Sequence, residues 1–462
     1  MSLLARGRAI TMNILSGKKI SVARASHYSL LGAAAKSGLP TGQTFTVLGI
    51  ETSCDDTGAA VVRSDGVILG ESLAPQHEIH EAYGGVVPGL AREAHERNIG
   101  AVVNAALHEA GFVISDIDAV AVTVGPGLEI CLRVGSIFAR KVAAEYKKPF
   151  VAVHHLEAHC LIARPILLTQ GQSTGPSDLA YNCSASKQLS SRDFLQLEFP
   201  FLSLLVSGGH CQILLCHGVG EYTVLGGTLD DALGEAYDKA ARMLGLRTAG
   251  AGGPAMEQLA ADGDPKSVPL PIPMRKRKDC DFSYAGLKNA FRLAVEKAAT
   301  SHRTDRKKAI DFDPTSEAGQ MLPYAVKADL AASFQHVAIC HLTDRLKRAL
   351  SWCEEANFFP SGQNNKSLTL SAVAVVGGVA SNTAVREALR KVCMARDPPL
   401  ALIAPPTRFC TDNGVMVAWA AIEKLSLGIS DDIDWKGKDV FPRWPVGAEF
   451  SQENCKTDLL AN

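Results

Sequence analysis

Glycine-containing turns follow the buried strands of this chain and limit the folds it can adopt. Three strand-like runs end in such a turn: 117–124 before Gly125-Pro126-Gly127, 199–206 before Ser207-Gly208-Gly209, and 372–376 before Gly377-Gly378. Helical patterns separate the strands, among them 92–110 and the leucine-rich stretch 330–350. Strands that alternate with helices predict largely parallel sheets covered on both faces, with ligands at the carboxyl ends of the strands. The pattern therefore predicts two α/β lobes.

The first 50 residues differ in charge from the remainder. They contain six Lys or Arg residues and no acid, since the first acidic residue is Glu51. A basic, serine-containing, acid-free leader is typical of an organellar transit peptide, which we place at 1–44. Removing six cations from a chain of net charge −1 leaves the body at about −7. Any nucleic-acid site on the body must therefore be a local basic patch.

Composition divides the rest of the chain. We predict a first lobe over 45–165, completed by the C-terminal helix region 414–447, and a second lobe over 197–413. Residues 166–196 are rich in Ser, Gln, Asn and Gly and predict a surface insertion, while 448–462 predict a disordered tail. No apolar run approaches the roughly 18 residues of a membrane span. An integral membrane protein is therefore not expected.

Two histidines have the spacing of metal ligands. His155 and His159 are four residues apart, which places them on one face of a helix, whereas His154 has no such partner. A third ligand must come from elsewhere, and Asp412 lies in a polar turn that opens the last helix. The spacing is also compatible with two unrelated surface histidines.

Three further segments carry groups suited to a nucleotide. The turn 51–57 combines adjacent hydroxyls and carboxylates, and the glycine turns at 205–209 and 376–382 would let backbone N–H groups approach a phosphate or base. Neither turn matches a Walker loop or a dinucleotide fingerprint. Asp231, Glu235 and Asp238 are predicted to share one helical face that suits ribose hydroxyls. Ordinary turns and a solvated charged face remain the alternatives.

In this order, the segments closely resemble the threonylcarbamoyl transferase family that modifies tRNA, once described as O-sialoglycoprotein endopeptidase. The resemblance runs from Val47 to about Ala421. Beyond the segments above, it includes the stretches 80–88, 125–128, 252–254 and 281–288. Leu205 stands where archaeal and eukaryotic cytosolic relatives carry Tyr, so the chain follows the bacterial and organellar form.

The resemblance implies a fold, an activity and a set of site residues. The fold is the actin-like, sugar-kinase-like (ASKHA) two-lobed ATPase fold. The activity is transfer of threonylcarbamoyl from threonylcarbamoyl-AMP to N6 of the adenosine just 3′ of the anticodon, with release of AMP. His155, His159 and Asp412 are implied as ligands of one divalent metal ion, Fe or Zn, and Asp55 as the catalytic carboxylate. The implied substrate and nucleotide pocket comprises Leu205, Val206, Ser207, Gly208, Gly209, Asp238, Gly253, Glu257, Ser381 and Asn382.

The same resemblance implies partners and a location. The acceptors would be tRNAs that read codons beginning with adenine, and a separate synthase would supply the adenylate. Organellar members suggest a homodimer. With the acid-free leader, the resemblance favours the mitochondrial matrix, with a plastid as the alternative.

Other functions remain open from the sequence. The histidine spacing suggests a metalloprotease, and the fold class also includes sugar kinases, chaperone-like ATPases and non-catalytic ATP-binding assembly subunits. Against a protease, Glu157 follows His155 by two residues. At about 100° per residue, Glu157 lies about 200° around the helix from His155, so it points away from a metal shared by the histidines. A kinase would not need the histidines, because Mg²⁺ prefers oxygen ligands.

Two features are candidate tRNA contacts. The run Arg275-Lys276-Arg277-Lys278 is the best candidate for binding phosphate, with a solvated loop as the alternative. His95, in a helical segment, is a second candidate, with an ordinary amphipathic-helix residue as the alternative.

Overall fold

A computed structural model describes residues 43–164, 197–246, 252–301, 317–355, 369–433 and 439–449. It also places three short strand segments, Thr11–Asn13, Lys19–Ser21 and Ala35–Lys36. Most of the predicted transit peptide, the insertion 166–196 and most of the tail lie outside the described residues. No helix in the described ranges has the length and apolarity needed to cross a bilayer.

The first sheet has five strands: β1 (Thr46–Glu51), β2 (Asp56–Arg63), β3 (Ile68–Pro75), β4 (Ala119–Gly125) and β5 (Phe150–His154). Their order across the sheet is β3-β2-β1-β4-β5. Strands β1, β2 and β3 pair antiparallel, whereas β4 and β5 extend the sheet in parallel.

The second sheet repeats this arrangement. It contains β6 (Phe201–Val206), β7 (Cys211–Gly218), β8 (Glu221–Gly227), β9 (Ala372–Val376), β10 (Ala401–Ile403) and the short β12 (Ala448–Glu449). The order β10-β9-β6-β7-β8 matches that of the first sheet, with β12 added beside β8. Strands β6, β7 and β8 are antiparallel, and β9 and β10 are parallel to β6. The two lobes therefore share one topology.

The expectation of largely parallel sheets is wrong. Strands β1 and β2 are joined by only residues 52–55, and β2 and β3 by residues 64–67. A parallel connection needs a crossover of a dozen or more residues, so these short connections form antiparallel hairpins. Each sheet is consequently mixed.

Helices cover both sheets. They are α1 (His77–Glu81), α2 (Pro88–Ala110), α3 (Glu129–Glu145), α4 (His155–Leu161), α5 (Leu233–Met243), α6 (Gly252–Ala260), α7 (Ala285–Ser301), α8 (Glu317–Gln320), α9 (Tyr324–Glu354), α10 (Thr383–Met394) and α11 (Gly414–Ser426). A short strand, β11 (Ile429–Ser430), follows α11.

Helix α11 brings the end of the chain back to the first sheet. A Cβ on Gly49 of β1 would lie 2.3 Å from the backbone N of Ala418, and one on Gly414 would lie 2.3 Å from the backbone of Ala59. Glycine at these positions lets the helix and the sheet approach closely. This packing agrees with assigning 414–447 to the first lobe, although the lobe boundaries themselves stay predictions.

The sequence pattern predicts a helix from about Ile137 to Tyr146, but α3 begins eight residues earlier, at Glu129. Gly135 and Ser136 interrupt the helical pattern in the sequence, yet they lie inside the helix and are buried. A Cβ on Gly135 would lie 2.4 Å from Oγ1 of Thr52. The glycine therefore permits close contact between α3 and the end of β1 and does not end the helix.

Candidate active site and metal centre

The end of β5 passes directly into α4 and presents the histidines. His154 is the N-cap of α4: its Nδ1 accepts from the N–H of Leu156 at 3.1 Å, and its Nε2 donates to the Trp444 carbonyl at 3.0 Å. His154 is thus occupied in holding the start of the helix. His155 and His159 lie one turn apart on α4, with ring centroids 4.7 Å apart.

Asp412 joins the two histidines from a distant part of the chain. Its Oδ1 lies 3.1 Å from His159 Nε2 and 3.7 Å from His155 Nε2. One ligand atom from each of the three residues lies within 4.8 Å of the others. The next residue, Asn413, caps α11 by accepting from the N–H of Met416 at 2.9 Å. This cap fixes the turn that carries Asp412.

Glu51, at the end of β1, orients His155 from the opposite side, a role that sequence reasoning missed. Its carboxylate is fully buried and lies 3.5 Å from His155 Nδ1, beside the Ser53 hydroxyl, which is closer to that nitrogen at 3.2 Å. It also accepts from the backbone N–H of Ser53 at 2.6 Å and from the Thr123 hydroxyl at 2.5 Å. A carboxylate behind a histidine fixes the tautomer and ring orientation of a metal ligand. The only sequence signal is a charged residue ending an apolar strand.

Charge at this site favours a cation. Burial alone would lower the pKa of His155, but the carboxylates of Asp412 and Glu51 outweigh burial and raise it to about 9. Burial and the carboxylates of Asp412, Asp55 and Glu51 raise the pKa of Asp56 to about 8. Several acidic groups thus converge on two imidazoles.

The donor set fits a divalent metal ion. Two imidazoles and a carboxylate are ligands shared by zinc and iron sites. Within the described ranges, His159 Nδ1 and Asp56 Oδ1 are buried without a hydrogen-bond partner. Burial would raise the pKa of Asp412, but His155, His159 and His210 hold it well below its usual range. Asp412 is therefore ionised, as a metal ligand would have to be.

Glu157 points away from the histidines, as the helix geometry predicts. One carboxylate oxygen accepts from the Gly220 N–H at 2.7 Å and from the Tyr222 hydroxyl at 3.2 Å, and the residue is buried. A protease of the His-Glu-x-x-His type needs its Glu beside the metal-bound water. The geometry therefore disfavours the metalloprotease alternative.

Asp55 lies in the turn between β1 and β2, where it is half-buried. Burial and the carboxylates of Asp55 and Asp412 raise the pKa of its neighbour, the Cys54 thiol, far above the usual value. Asp55 and Asp412 are thus close enough for their charges to act on the same thiol.

The glycine turn after β6 stands beside the histidines. The ring of His210, the residue that closes this turn, lies 6.1 Å from that of His155, centroid to centroid. Burial, and then His155 and His159, lower the pKa of His210 to about 4, so it is neutral near pH 7. Leu205 and Val206 are fully buried, so only their backbone is available to a ligand. The Ser207 hydroxyl accepts from the N–H of His210 at 3.0 Å.

Three glycines of the predicted pocket face open space. A Cβ on Gly208, Gly209 or Gly253 would meet no atom within 4 Å. By contrast, a Cβ on Gly234 would lie 2.7 Å from the Ser207 carbonyl oxygen. Glycine facing open space is compatible with close approach by a ligand.

The remaining predicted pocket residues come from α5, α6 and the start of α10. Asp238 accepts from the Gly252 N–H at 2.6 Å, and Glu257 accepts from the Thr383 N–H at 2.7 Å. Asn382 caps α10 through the Val385 N–H at 2.9 Å.

Two of these residues take part in local contacts beside the second glycine turn. The Ser381 hydroxyl donates to the Gly378 carbonyl at 2.6 Å. The side-chain amide of Asn382 donates to Gln335 Oε1 at 3.0 Å. Gln335 is a pocket neighbour that sequence reasoning missed, because it lies mid-helix in α9 with no local signal.

One predicted feature of this lobe is wrong. Asp231, Glu235 and Asp238 do not share a helical face, because α5 begins only at Leu233. Asp231 instead pairs with Lys239 at 3.0 Å and Lys288 at 2.6 Å.

Comparison with known proteins identifies the family. The profile described as TsaD, tRNA N6-adenosine threonylcarbamoyltransferase, matches residues 67–187 and 180–419. The chain belongs to this family. It is 43% identical over 412 residues to the probable mitochondrial tRNA N6-adenosine threonylcarbamoyltransferase of Arabidopsis thaliana, covering 88% of this chain and 76% of the relative. It is 41% identical to the mitochondrial enzyme of Xenopus tropicalis, covering 88% of this chain and 89% of the relative.

Family membership makes the chain a transferase of the acyltransferase class with a tRNA substrate. Among solved structures, the chain is similar to component A of the Acidaminococcus fermentans (R)-2-hydroxyglutaryl-CoA dehydratase, at 12% identity and a TM-score of 0.42. The match covers 83% of this chain and 99% of the dehydratase component. The predicted two-lobed, actin-like fold is confirmed by family membership together with the strand order repeated in both sheets.

The prediction that His95 touches tRNA is wrong for this family member. His95 lies in the middle of α2 and is fully buried. Its neighbours in the helix mix polar and apolar residues, so the sequence alone does not show which face is covered. The side chain of His95 faces the first sheet, where its Nδ1 lies 2.8 Å from the Thr57 hydroxyl.

Proposed function

We propose that the chain transfers the threonylcarbamoyl group of threonylcarbamoyl-AMP to N6 of the adenosine just 3′ of the anticodon. The products would be N6-threonylcarbamoyladenosine and AMP. One observation carries the proposal: the turn Ser207–Gly209, with open space beside two glycines, adjoins the cluster of His155, His159 and Asp412. A nucleotide in the turn would hold its acyl group beside that cluster.

The chain's own residues would bind and orient the reactants. The backbone N–H groups of Gly208 and Gly209 suit the phosphate of the adenylate, where they would stabilise charge on departing AMP. Gly253 leaves room for the nucleotide beside Asp238 and Glu257, and Ser381 and Asn382 border the same pocket.

Asp55 would hold the acceptor amine and take its proton. The exocyclic amine of adenine is a poor nucleophile, because its lone pair is delocalised into the ring. Held geometry therefore matters for this transfer. A half-buried carboxylate at the end of a strand is a suitable positioned base.

His155, His159 and Asp412 would hold one divalent metal ion, with Glu51 behind His155. When bound, the ion supplies Lewis-acid polarisation of the acyl or phosphate oxygens. The set of two histidines and one carboxylate suits Fe or Zn, and elemental analysis of purified protein distinguishes the two.

The basic loop 275–278 is the proposed contact for tRNA phosphates. Arg275, Lys276 and Lys278 are exposed and form no ion pair with any described residue. Arg277 differs, because its guanidinium pairs with Asp279 at 2.5 Å and with Asp281 at 3.1 Å. Three of the four basic residues thus remain available to phosphate.

Buried Arg345 organises this loop from α9. Its guanidinium donates to the carbonyl oxygens of Met274 and Asp279, both at 2.6 Å, and to that of Arg277 at 3.1 Å. Five guanidinium N–H donors in a fixed geometry can hold several carbonyls at once. Because the loop is already ordered, binding phosphate through its cations would cost little conformational entropy.

A separate synthase would supply the adenylate, and the subunit would self-associate. An apolar groove between the ends of α2 and α3 is lined by Leu107, Phe112, Phe138 and Val142, among others. Val113, which also lines the groove, and Ile137 on α3 are each 62% exposed. Sedimentation of the wild type and of Ile137→Asp tests whether this face forms a homodimer.

The proposed location is the mitochondrial matrix, with a plastid as the alternative. Relatives at 43% and 41% identity carry mitochondrial names, and the leader is acid-free. We expect a chain beginning near Gly42 to fold and retain activity but to fail in import. A full-length fluorescent fusion that stays in the cytosol would contradict the targeting proposal.

Nucleoside analysis of organellar tRNA tests the proposed function. Cells that lack this protein should lose N6-threonylcarbamoyladenosine from tRNAs reading codons that begin with adenine. Re-expression of wild type should restore the nucleoside, whereas a His159→Ala variant should not. Normal modification in the deficient cells would exclude the proposed function.

A further inference from the structure

His95 makes three hydrogen bonds that fix its protonation. Its Nε2 lies 3.0 Å from the backbone carbonyl oxygen of Cys54, which can only accept, so Nε2 carries the proton. Its Nδ1 then accepts from the Thr57 hydroxyl at 2.8 Å and from the side-chain amide of Gln76 at 3.4 Å. Burial lowers the pKa of His95, in agreement with a neutral ring.

The same reasoning extends to His80. The amide nitrogen of Gln76 also faces the Ala91 carbonyl oxygen at 3.3 Å, which fixes the orientation of the amide. Its oxygen then accepts from His80 Nε2 at 3.3 Å. His80 Nδ1 in turn accepts from the backbone N–H of Val87 at 3.3 Å. A one-directional chain of donors therefore runs from Val87 to Cys54 through three buried side chains.

The two ends of this chain lie at functionally different places. Cys54 immediately precedes Asp55, so its carbonyl belongs to the turn that presents the proposed catalytic carboxylate. Val87 ends a loop whose residues 82–86 are exposed. The Gly84 carbonyl in that loop accepts from Arg242 of α5, in the second lobe. The chain of hydrogen bonds thus joins the Asp55 turn to a loop in contact with the other lobe.

We propose that His95, Gln76 and His80 are positioning residues that hold the Asp55 turn in register with the loop 82–87. This inference rests on the proposed transfer reaction. A neutral histidine donates and accepts at once, so His95 can hold the Cys54 carbonyl while remaining anchored to β2 through Thr57. Removing it frees the turn and displaces Asp55 from the acceptor amine. Displacement of about 1 Å costs on the order of 100-fold in rate.

Substitution of His95 in the full-length enzyme tests the proposal. His95→Leu removes all three hydrogen bonds at similar volume, whereas His95→Gln keeps one donor and one acceptor. We expect His95→Leu to lower kcat by about 10–100-fold, with KM for tRNA, metal content and AMP affinity near wild type. His95→Gln should recover at least part of kcat. His217→Leu, which changes an exposed histidine near the end of β7, is the control and should be neutral.

A spectroscopic readout makes the test independent of folding of the variants. Histidine ¹⁵N correlation spectra of wild type should show His95 and His80 both neutral and protonated at Nε2. A proton on Nδ1 of His95, a charged ring, or a folded His95→Leu variant with unchanged kcat would overturn the proposal. Wild type that makes no product at all would instead contradict the proposed function, so the two failures are distinguishable.

Discussion

The carboxylate of Glu51 lies 3.5 Å from Nδ1 of His155, on the edge of the ring opposite the Nε2 that faces Asp412. Because a carboxylate there keeps the proton on Nδ1, it leaves Nε2 free to bind a metal ion. We therefore expect Glu51→Gln to weaken metal affinity by about 10–100-fold, measured by competition with a chelator.

Glu157→Gln provides the control for this variant. Both glutamates are almost fully buried and both accept a backbone N–H, but Glu157 faces Gly220 and Tyr222. We expect its substitution to leave metal affinity near normal. Equal loss of metal in the two variants would show that burial, and not orientation of His155, explains the effect of Glu51.

Glycine substitutions can distinguish a role in nucleotide binding from a role in packing. Gly208→Ala and Gly253→Ala should leave the melting temperature almost unchanged, because the added methyl group meets no protein atom. Both should weaken AMP binding at least tenfold, about 1.4 kcal/mol, if the ligand occupies that space. Gly234→Ala should do the reverse, destabilising the fold by about 1–3 kcal/mol through its clash with Ser207. Normal AMP affinity in the first two variants would place the nucleotide elsewhere.

The basic loop yields a prediction about salt dependence. Changing Arg275, Lys276 and Lys278 together to Gln should reduce the slope of log affinity for tRNA against log salt concentration by about 0.7–0.9 per lost contact. AMP affinity should not change. Arg277→Gln is the comparison and should alter the slope less, because its guanidinium is already paired within the loop. An unchanged slope in the triple variant would identify a solvated loop.

Local patterns in the sequence predicted where helices and strands lie better than they predicted strand direction or residue burial. The alternation of strands and helices and the glycine turns at strand ends correspond to real elements, because apolar periodicity reports which residues face the core. The short connections 52–55 and 64–67 already implied hairpins, but the expectation of parallel sheets ignored them. Gly135 suggested a break in the helical pattern, but it lies within α3. Its role is close contact with Thr52, which is a tertiary effect that the local sequence does not show.

The candidate site shows the same limit. His155 and His159 share a local spacing that the sequence reveals, and the family resemblance supplied Asp412. The interactions of Glu51, His95 and Arg345 depend on side chains brought together from distant segments. Their residue types alone do not separate a buried, fully bonded group from a solvated one.

The most direct test is a transfer assay with purified enzyme, tRNA and threonylcarbamoyl-AMP, run beside elemental analysis. Wild type should contain metal and form N6-threonylcarbamoyladenosine while cleaving no peptide. His155→Ala and His159→Ala should lose both metal and transfer, and Glu157→Gln should retain most of each. Metal-containing wild type that cleaves peptides and modifies no tRNA, with Glu157→Gln as damaged as the histidine variants, would contradict the account.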